Sequence, residues 1–457
     1  MTGLVCCVDF GSTFTKAALV DVDAGRLLAT QSHRTTLDTD VLDGWEACRG
    51  RFAQRYAEAA DAPVLACSSA AGGLRVAVVG NEELVTAEAG RRVALSSGGR
   101  VVHVASGGLD SDAATGLRTA RPDVLLLVGG TDHGNAEVLL GAAKALATSG
   151  WAGPVVVAGN IAAQGEAAAI LDAAGVPHVL ADNVVPRIGV LAPDSARAAI
   201  REAFLRHVIG GKHLSRRADF TAMVRGATPD VVLTAVRMLA EEVGDVVVVD
   251  IGGATTDVHS VVEVDPEDAE LAHQVVAPMP VSRTVEGDLG MRWSAVDTVA
   301  AGREAGLVND REYDALDGAA RLRRDDPAYL PTTDDGTSHD ERLAAVAGGV
   351  ALRRHAGRQQ VRFGPDGRLV ERTGKDLREV HVLVGSGGVL RHHPPELGAR
   401  VLAACSGKDV EGGWLLPRAP RTVVDRDYVL AAAGLLGDEH PRAARLLLRR
   451  LLEGEPR

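Results

Sequence analysis

Two short stretches of this chain carry closely matching sets of residues suited to chemistry. The first reads Val8-Asp9-Phe10-Gly11-Ser12-Thr13-Phe14-Thr15-Lys16, the second Val249-Asp250-Ile251-Gly252-Gly253-Ala254-Thr255-Thr256-Asp257. Aligned, they share the Val, the Asp, the Gly and the second Thr. Glycine lets a backbone approach a bulky anion, and successive turn N–H groups point at phosphate oxygens. Small hydroxyls beside the glycine add donors without crowding. An aspartate before the turn is placed to hold magnesium, directly or through water, because that ion prefers carboxylate and phosphate oxygens.

The elements around the two stretches are equally alike. Apolar runs lead in (Leu4-Val5-Cys6-Cys7-Val8 and Val246–Val249), and second strand-like runs lead out (Ala17–Val20 and Val258–Val262). Each therefore predicts strand, tight glycine turn, strand: a β-hairpin, not a strand-to-helix loop. One Asp-x-Gly turn is ordinary in sheets. Two matched ones about 240 residues apart suggest duplicated halves closing on one nucleotide phosphate chain. A third run, Val382-Leu383-Val384, ends in Gly385-Ser386-Gly387-Gly388. Such bare backbone lets a base or ribose lie flat; the alternative is a plain glycine-rich loop.

Composition narrows the partners. The chain has 457 residues, 46% hydrophobic, 24% charged and only 3% aromatic, with a formal net charge of −12. That length predicts two or three domains. The acidic balance and scarce aromatics argue against nucleic acid, which demands basic patches and stacking platforms. The five cysteines, Cys6, Cys7, Cys48, Cys67 and Cys405, form no CxxC pair. They suggest reduced thiols and a cytoplasmic protein. The first strand begins within three residues, which leaves no room for a signal peptide. No apolar run reaches the roughly 20 residues that cross a bilayer, so no membrane association is expected.

Along the chain, residues 1–95 read as a first lobe that includes strands at Val64–Cys67 and Leu74–Val79. Residues 96–190 alternate strands and helices, which predicts an inserted parallel α/β domain. Its Gly129–Asn135 and Gly159-Asn160 loops are candidate ligand or partner contacts, or simply helix caps. Residues 191–244 read as a helical connection containing the basic run Gly210–Arg217. Residues 245–457 form a second lobe with helices at Asp310–Arg324 and Glu341–Ala356. Between those two helices, Asp325–Asp340 reads as a surface loop.

The three motifs, in this order, resemble those of the actin-like ATPase superfamily. Within it the chain looks like the glutamate (methylaspartate) mutase accessory proteins. Further stretches carry that likeness: Thr35–Val41, Leu127–Asp132 and Thr284-Val285-Glu286-Gly287-Asp288-Leu289-Gly290. The resemblance implies an α/β, duplicated two-lobe, ribonuclease H-like fold that binds ATP or ADP with Mg2+. It assigns Asp9 and Asp250 to metal and water, and Gly11, Ser12, Thr13, Thr15, Gly252, Gly253, Thr255 and Thr256 to phosphate. Lys16 and Asp257 flank these sites, and Gly385, Ser386, Gly387 and Gly388 hold adenosine. One departure is Ala254, where many chaperone relatives carry a third glycine. The implied partner is the adenosylcobalamin-dependent glutamate mutase, acted on by a chaperone-like reactivating ATPase. A small-molecule kinase, with Asp288 as its candidate base, and a nucleotide-binding scaffold or filament are the competing readings on the same fold.

Overall fold

The computed structural model describes residues 3–211, 214–263, 279–364, 367–407 and 412–454; Lys212 and His213 of the basic run lie outside them. The first sheet contains β1 (Leu4–Phe10), β2 (Phe14–Asp21) and β3 (Arg26–Arg34) as an antiparallel meander. Beside β1 run two parallel strands, β4 (Val64–Ser68) and then β10 (Val224–Ala227). The second lobe repeats the plan. There β11 (Val246–Ile251), β12 (Thr256–Val261) and β13 (Val281–Glu286) form the meander, and β16 (Val382–Ser386) and β17 (Arg421–Val424) run parallel to β11. Both sheets thus have the spatial order third, second, first, fourth, fifth. The duplication seen in two nine-residue stretches extends to whole lobes.

A third sheet holds five parallel strands in the order β6-β5-β7-β8-β9. They are β5 (Arg75–Val79), β6 (Arg100–Ala105), β7 (Val124–Leu127), β8 (Val155–Val157) and β9 (His178–Leu180). The sequence placed Leu74–Val79 in the first lobe; its strand instead lies between β6 and β7. Its apolar run suits either sheet, and only hydrogen bonding decides. Likewise β10, from the stretch read as helical connection, completes the first-lobe sheet. A separate hairpin joins β14 (Arg358–Gly364) to β15 (Gly367–Thr373).

The expected loop 325–340 is shorter than predicted, because a helix begins at Asp334 and runs to His355. Thr333 caps it by accepting the Gly336 N–H, and Asp334 and Asp335 in its first turn suit the dipole. What read as a solvated acidic run is a helix start.

The strands β1 and β11 are buried on both faces, hence their unbroken apolar sequences. One face of β1 and β2 (Cys6, Val8, Phe10, Leu19) packs on Leu42, Trp45 and Phe52 of helix Val41–Ala53. The other face (Val5, Cys7, Ala18, Val20) shares a core with helices Thr228–Val243, Val429–Leu436 and Pro441–Glu453. Val246, Val248, Val382 and Val384 of the second sheet belong to the same core. These three helices therefore join the lobes.

Candidate functional site

The two hairpin turns have the same geometry. The Gly11 N–H donates to the Phe14 carbonyl at 3.2 Å, and the Gly252 N–H to the Thr255 carbonyl at 2.9 Å. A Cβ on Gly11 would stand 2.6 Å from the Phe14 oxygen, and one on Gly252 2.8 Å from the Thr255 oxygen. Each glycine is required for the same close approach.

Different neighbours hold the two turns. The Thr35 hydroxyl donates to the Gly11 carbonyl at 2.7 Å, and the Thr35 N–H to the Thr13 carbonyl at 3.0 Å. The second turn lies under residues 291–294: Met291 donates its N–H to Gly252 O, while Arg292 and Trp293 donate theirs to Gly253 O. The Ser294 hydroxyl reaches Ala254 O at 2.7 Å. Ser12 and Thr13 are exposed at the first turn, but Thr15 and Thr256 are wholly buried. Thr15 lies against Thr35 at 3.3 Å, and the Thr256 hydroxyl has no partner among the described residues. Neither of these two hydroxyls is exposed to solvent.

Asp9 and Lys16 are directly opposed across β1 and β2. Lys16 Nζ is 3.7 Å from Asp9 Oδ2, and the Thr228 hydroxyl donates to Asp9 Oδ1 at 2.6 Å. Thr228 opens helix Thr228–Val243, so the first-lobe aspartate is tied to the connector between lobes. Lys16 Nζ also stands 4.2 Å above the Tyr428 ring, with the Arg391 guanidinium 4.1 Å from the same ring. Burial works against the lysine's charge, but Tyr428, Asp9 and Asp250 outweigh it and hold the ammonium above its ordinary range. One cation thus serves carboxylates from both lobes.

Asp250 faces Asp257 across β11 and β12, and Ser386 across β16. Burial raises its carboxyl above the usual range; Lys16 and the Ser386 hydroxyl oppose the rise, while Asp257 and Asp9 add to it. Asp257 is bound by Arg283 Nη2 at 2.7 Å. This gathering of carboxylates is an electrostatic setting that a divalent cation would relieve, and Asp9 and Asp250 are the residues that would face it. Among the described residues no group of three His, Cys, Asp or Glu side chains is placed to hold a metal. The set fits a magnesium that takes its remaining oxygens from phosphate and water.

At the third motif the glycines have separate reasons. A Cβ on Gly385 would meet Leu390 at 2.7 Å, and one on Gly387, at φ +113°, would meet the Ile251 carbonyl at 2.2 Å. Gly388 borders open space and is exposed. Of these three, Gly388 is the one that offers bare backbone to a ligand.

The candidate kinase base is occupied. Arg354 Nη1 and Nη2 bind the Asp288 carboxylate at 2.7 and 2.9 Å, and Nη1 also binds Glu286 at 2.8 Å. Those hydrogen bonds hold Asp288 below the usual carboxylate range. All five cysteines are buried, and burial pushes the Cys6 and Cys405 thiols up to about 12. No helix among the described residues is long and apolar enough to cross a membrane.

Thr228, Tyr428, Arg283 and Arg391 escaped the sequence reading. Thr228 lies in the stretch read as a helical connection; it begins helix Thr228–Val243 without capping it, and its hydroxyl goes to Asp9 instead. A lone arginine in the short β13 run was the one signal for Arg283.

Two lobes of identical strand order, each with an Asp-x-Gly hairpin, define an actin-like ATPase fold with an inserted α/β domain. The chain belongs to the MutL protein family, the glutamate mutase accessory family, whose model matches residues 5–452. It is 36% identical to Protein MutL of Clostridium tetanomorphum, over 97% of this chain and 98% of that one. Solved structures with looser likeness include a nucleotide-free acetone carboxylase (15% identity, 95% of this chain, 70% of that chain, TM-score 0.41). Another is gluconate kinase from Lactobacillus acidophilus (10% identity, 99% and 90%, TM-score 0.31). At such scores these two bear on neither mechanism nor substrate.

Proposed function

We propose that this protein binds ATP or ADP with Mg2+ between its lobes and serves as a chaperone-like, reactivating ATPase for adenosylcobalamin-dependent glutamate mutase. The observation that carries the reading is the matched hairpin pair, one per lobe, whose aspartates both act on Lys16. Family membership supports the choice of partner.

The chain's own groups divide the work. The backbone at Gly11–Thr13 and Gly252-Gly253 faces the phosphates, with Thr255 beside the second turn. Lys16 balances carboxylate against phosphate charge, and Gly388 with its neighbours receives the adenosine. Magnesium, when bound, supplies charge neutralisation at the transferring phosphate. Asp9 and Asp250 orient that ion and the attacking water. A radical enzyme that loses its adenosyl group retains a damaged corrin. Lobe movement between ATP and ADP states loosens the partner and releases it. The Arg354 ion pair at Asp288 counts against the one motif-like base of the kinase alternative.

The test begins with glutamate mutase inactivated by a cobalamin that lacks its adenosyl group. This protein, ATP, magnesium and fresh cofactor are added. The expected result is recovery that requires ATP and disappears in Asp250→Asn. Absence of recovery, with ATP consumed in phosphorylating a small carboxylate or sugar, overturns the proposal.

A further inference from the structure

We infer that the loop Leu95–Gly99 links the inserted domain to both hairpin aspartates through two buried arginines, Arg283 and Arg197. This inference rests on the nucleotide reading above and assigns that site its regulation.

The loop closes helix Glu88–Ser96, which packs on the inserted sheet through Ala89, Val93 and Ala94. Three of its carbonyls accept from arginines that come from elsewhere in the chain. Arg283, on β13, donates through Nη1 to Leu95 O at 3.4 Å and Gly99 O at 3.2 Å, and through Nη2 to Asp257 at 2.7 Å. Asp257 is paired with Val285, two residues along β13, so it and Arg283 share one face of the sheet. Asp257 in turn stands opposite Asp250. The first arm therefore runs from the inserted domain to the second-lobe hairpin in one side chain.

The second arm leaves from Ser96. Arg197 Nε donates to Ser96 O at 3.1 Å, and its Nη2 lies 3.6 Å from Asp230. Arg201 holds the other Asp230 oxygen at 2.6 Å. Gly98, at φ +82°, lies so close that a Cβ there would stand 2.8 Å from the Asp230 nitrogen. Asp230 is in the first turn of helix Thr228–Val243, and Thr228 binds Asp9. One short loop is thus wired to the aspartate of each lobe.

Arg283 and Arg197 are 5% and 8% exposed. Arg283 Nε is buried with no partner among the described residues, as is Nδ1 of His259, its cross-strand neighbour. Leaving such a donor unpaired is unfavourable. A plain packing role would be better filled by an apolar side chain, so the contacts at the guanidinium's two ends account for its presence. Occupation of the cleft alters the charge facing Asp257 and Asp9, which moves the loop. By linkage, a force on the inserted domain alters nucleotide affinity by the same factor. Arg283 is a positioning residue for Asp257, and Arg197 acts at one remove through Asp230.

The test is hydrogen exchange by mass spectrometry on the full chain, with and without ADP and magnesium, alongside calorimetric titration and phosphate release. In the wild type, nucleotide should slow exchange across residues 88–99 by about tenfold, within the usual range of site-to-site coupling. Arg283→Gln should abolish that protection and lower kcat about tenfold, with KM for ATP changed less than about twofold. Arg283→Lys, which keeps charge beside Asp257 but not the fork, should recover rate without recovering protection. Arg197→Gln tests the second arm and stands in if Arg283→Gln does not fold. Persistent protection in folded variants that still bind ADP overturns the inference and leaves the function intact. So does wild-type binding that leaves residues 88–99 unchanged. Absence of nucleotide binding in the wild type removes both proposals at once.

Discussion

Lys16 is where the charges of two lobes converge. Replacing it with methionine leaves Asp9 and Asp250 without their shared cation, so the Asp250 carboxyl should rise further above the usual range. If hydrolysis needs that carboxyl ionised, the acidic limb of the phosphate-release profile should move to higher pH in Lys16→Met. An unmoved limb would separate Lys16 from Asp250. Asp9→Asn and Asp250→Asn should each slow phosphate release by roughly 10²–10³-fold while nucleotide binding, followed separately, persists. Wild-type rates in both would remove the aspartates from the mechanism. The glycines make a paired test. Gly388→Val enters open space and should weaken ATP and ADP alike, by about tenfold or more, in a folded protein. Gly387→Val meets the Ile251 carbonyl and should destabilise the lobe instead. The hairpin turns at Gly11 and Gly252, with Asp9 and Asp250 before them, were legible in the sequence because a tight turn restricts residue type. Thr228, Tyr428 and Arg283 were not, because each reaches its partner from an element whose own sequence needs only to be a helix start, a loop or a strand.

At the scale of elements, helix Val429–Leu436 depends on one buried carboxylate. Asp425 accepts the Val429 and Leu430 N–H groups at 2.8 and 3.1 Å. Burial, opposed by those two bonds, pushes its carboxyl from 3.8 up to about 6. A carboxyl raised on folding binds its proton more tightly in the native state. Its contribution to stability is therefore full below about pH 4 and lost as pH rises through about 6. Asp425→Asn keeps an acceptor oxygen without the titration, so the fall in Tm between pH 4.5 and 7.5 should flatten. The effect is on the order of 2–3 kcal/mol across the window. An unchanged slope would place the titration elsewhere. The sequence located most strands of the two lobes, since buried β-branched runs have few other uses. It misassigned Arg75–Val79, because an apolar strand says nothing about which sheet its edges join. It missed the start of the Asp334 helix, because the acids that favour a first turn are also the residues of a solvated loop.

For the molecule as a whole, the proposed function has both lobes grip one phosphate chain, so they should close differently around ATP and ADP, since ATP alone carries the γ-phosphate. A nucleotide shifts that balance only by its differential affinity for the two states. Fluorescence transfer between labels on the exposed tips of the two lobes should therefore distinguish ATP from ADP in Asp250→Asn, where turnover is slow. Identical distances would deny the movement. A different consequence follows from helices Val429–Leu436 and Pro441–Glu453, which cover the Val5, Cys7, Ala18 and Val20 face of the first sheet. On the ribosome those strands are made some 400 residues before these two helices. At ordinary elongation rates that is a delay of about 20–80 s, with an apolar sheet face bare in the nascent chain. These two helices cannot cover that face until residues 429–453 have been made. Its synthesis should call on general folding helpers, and a message truncated before residue 429, which still encodes 428 of the 457 residues, should yield aggregates and not a folded, slightly shortened protein.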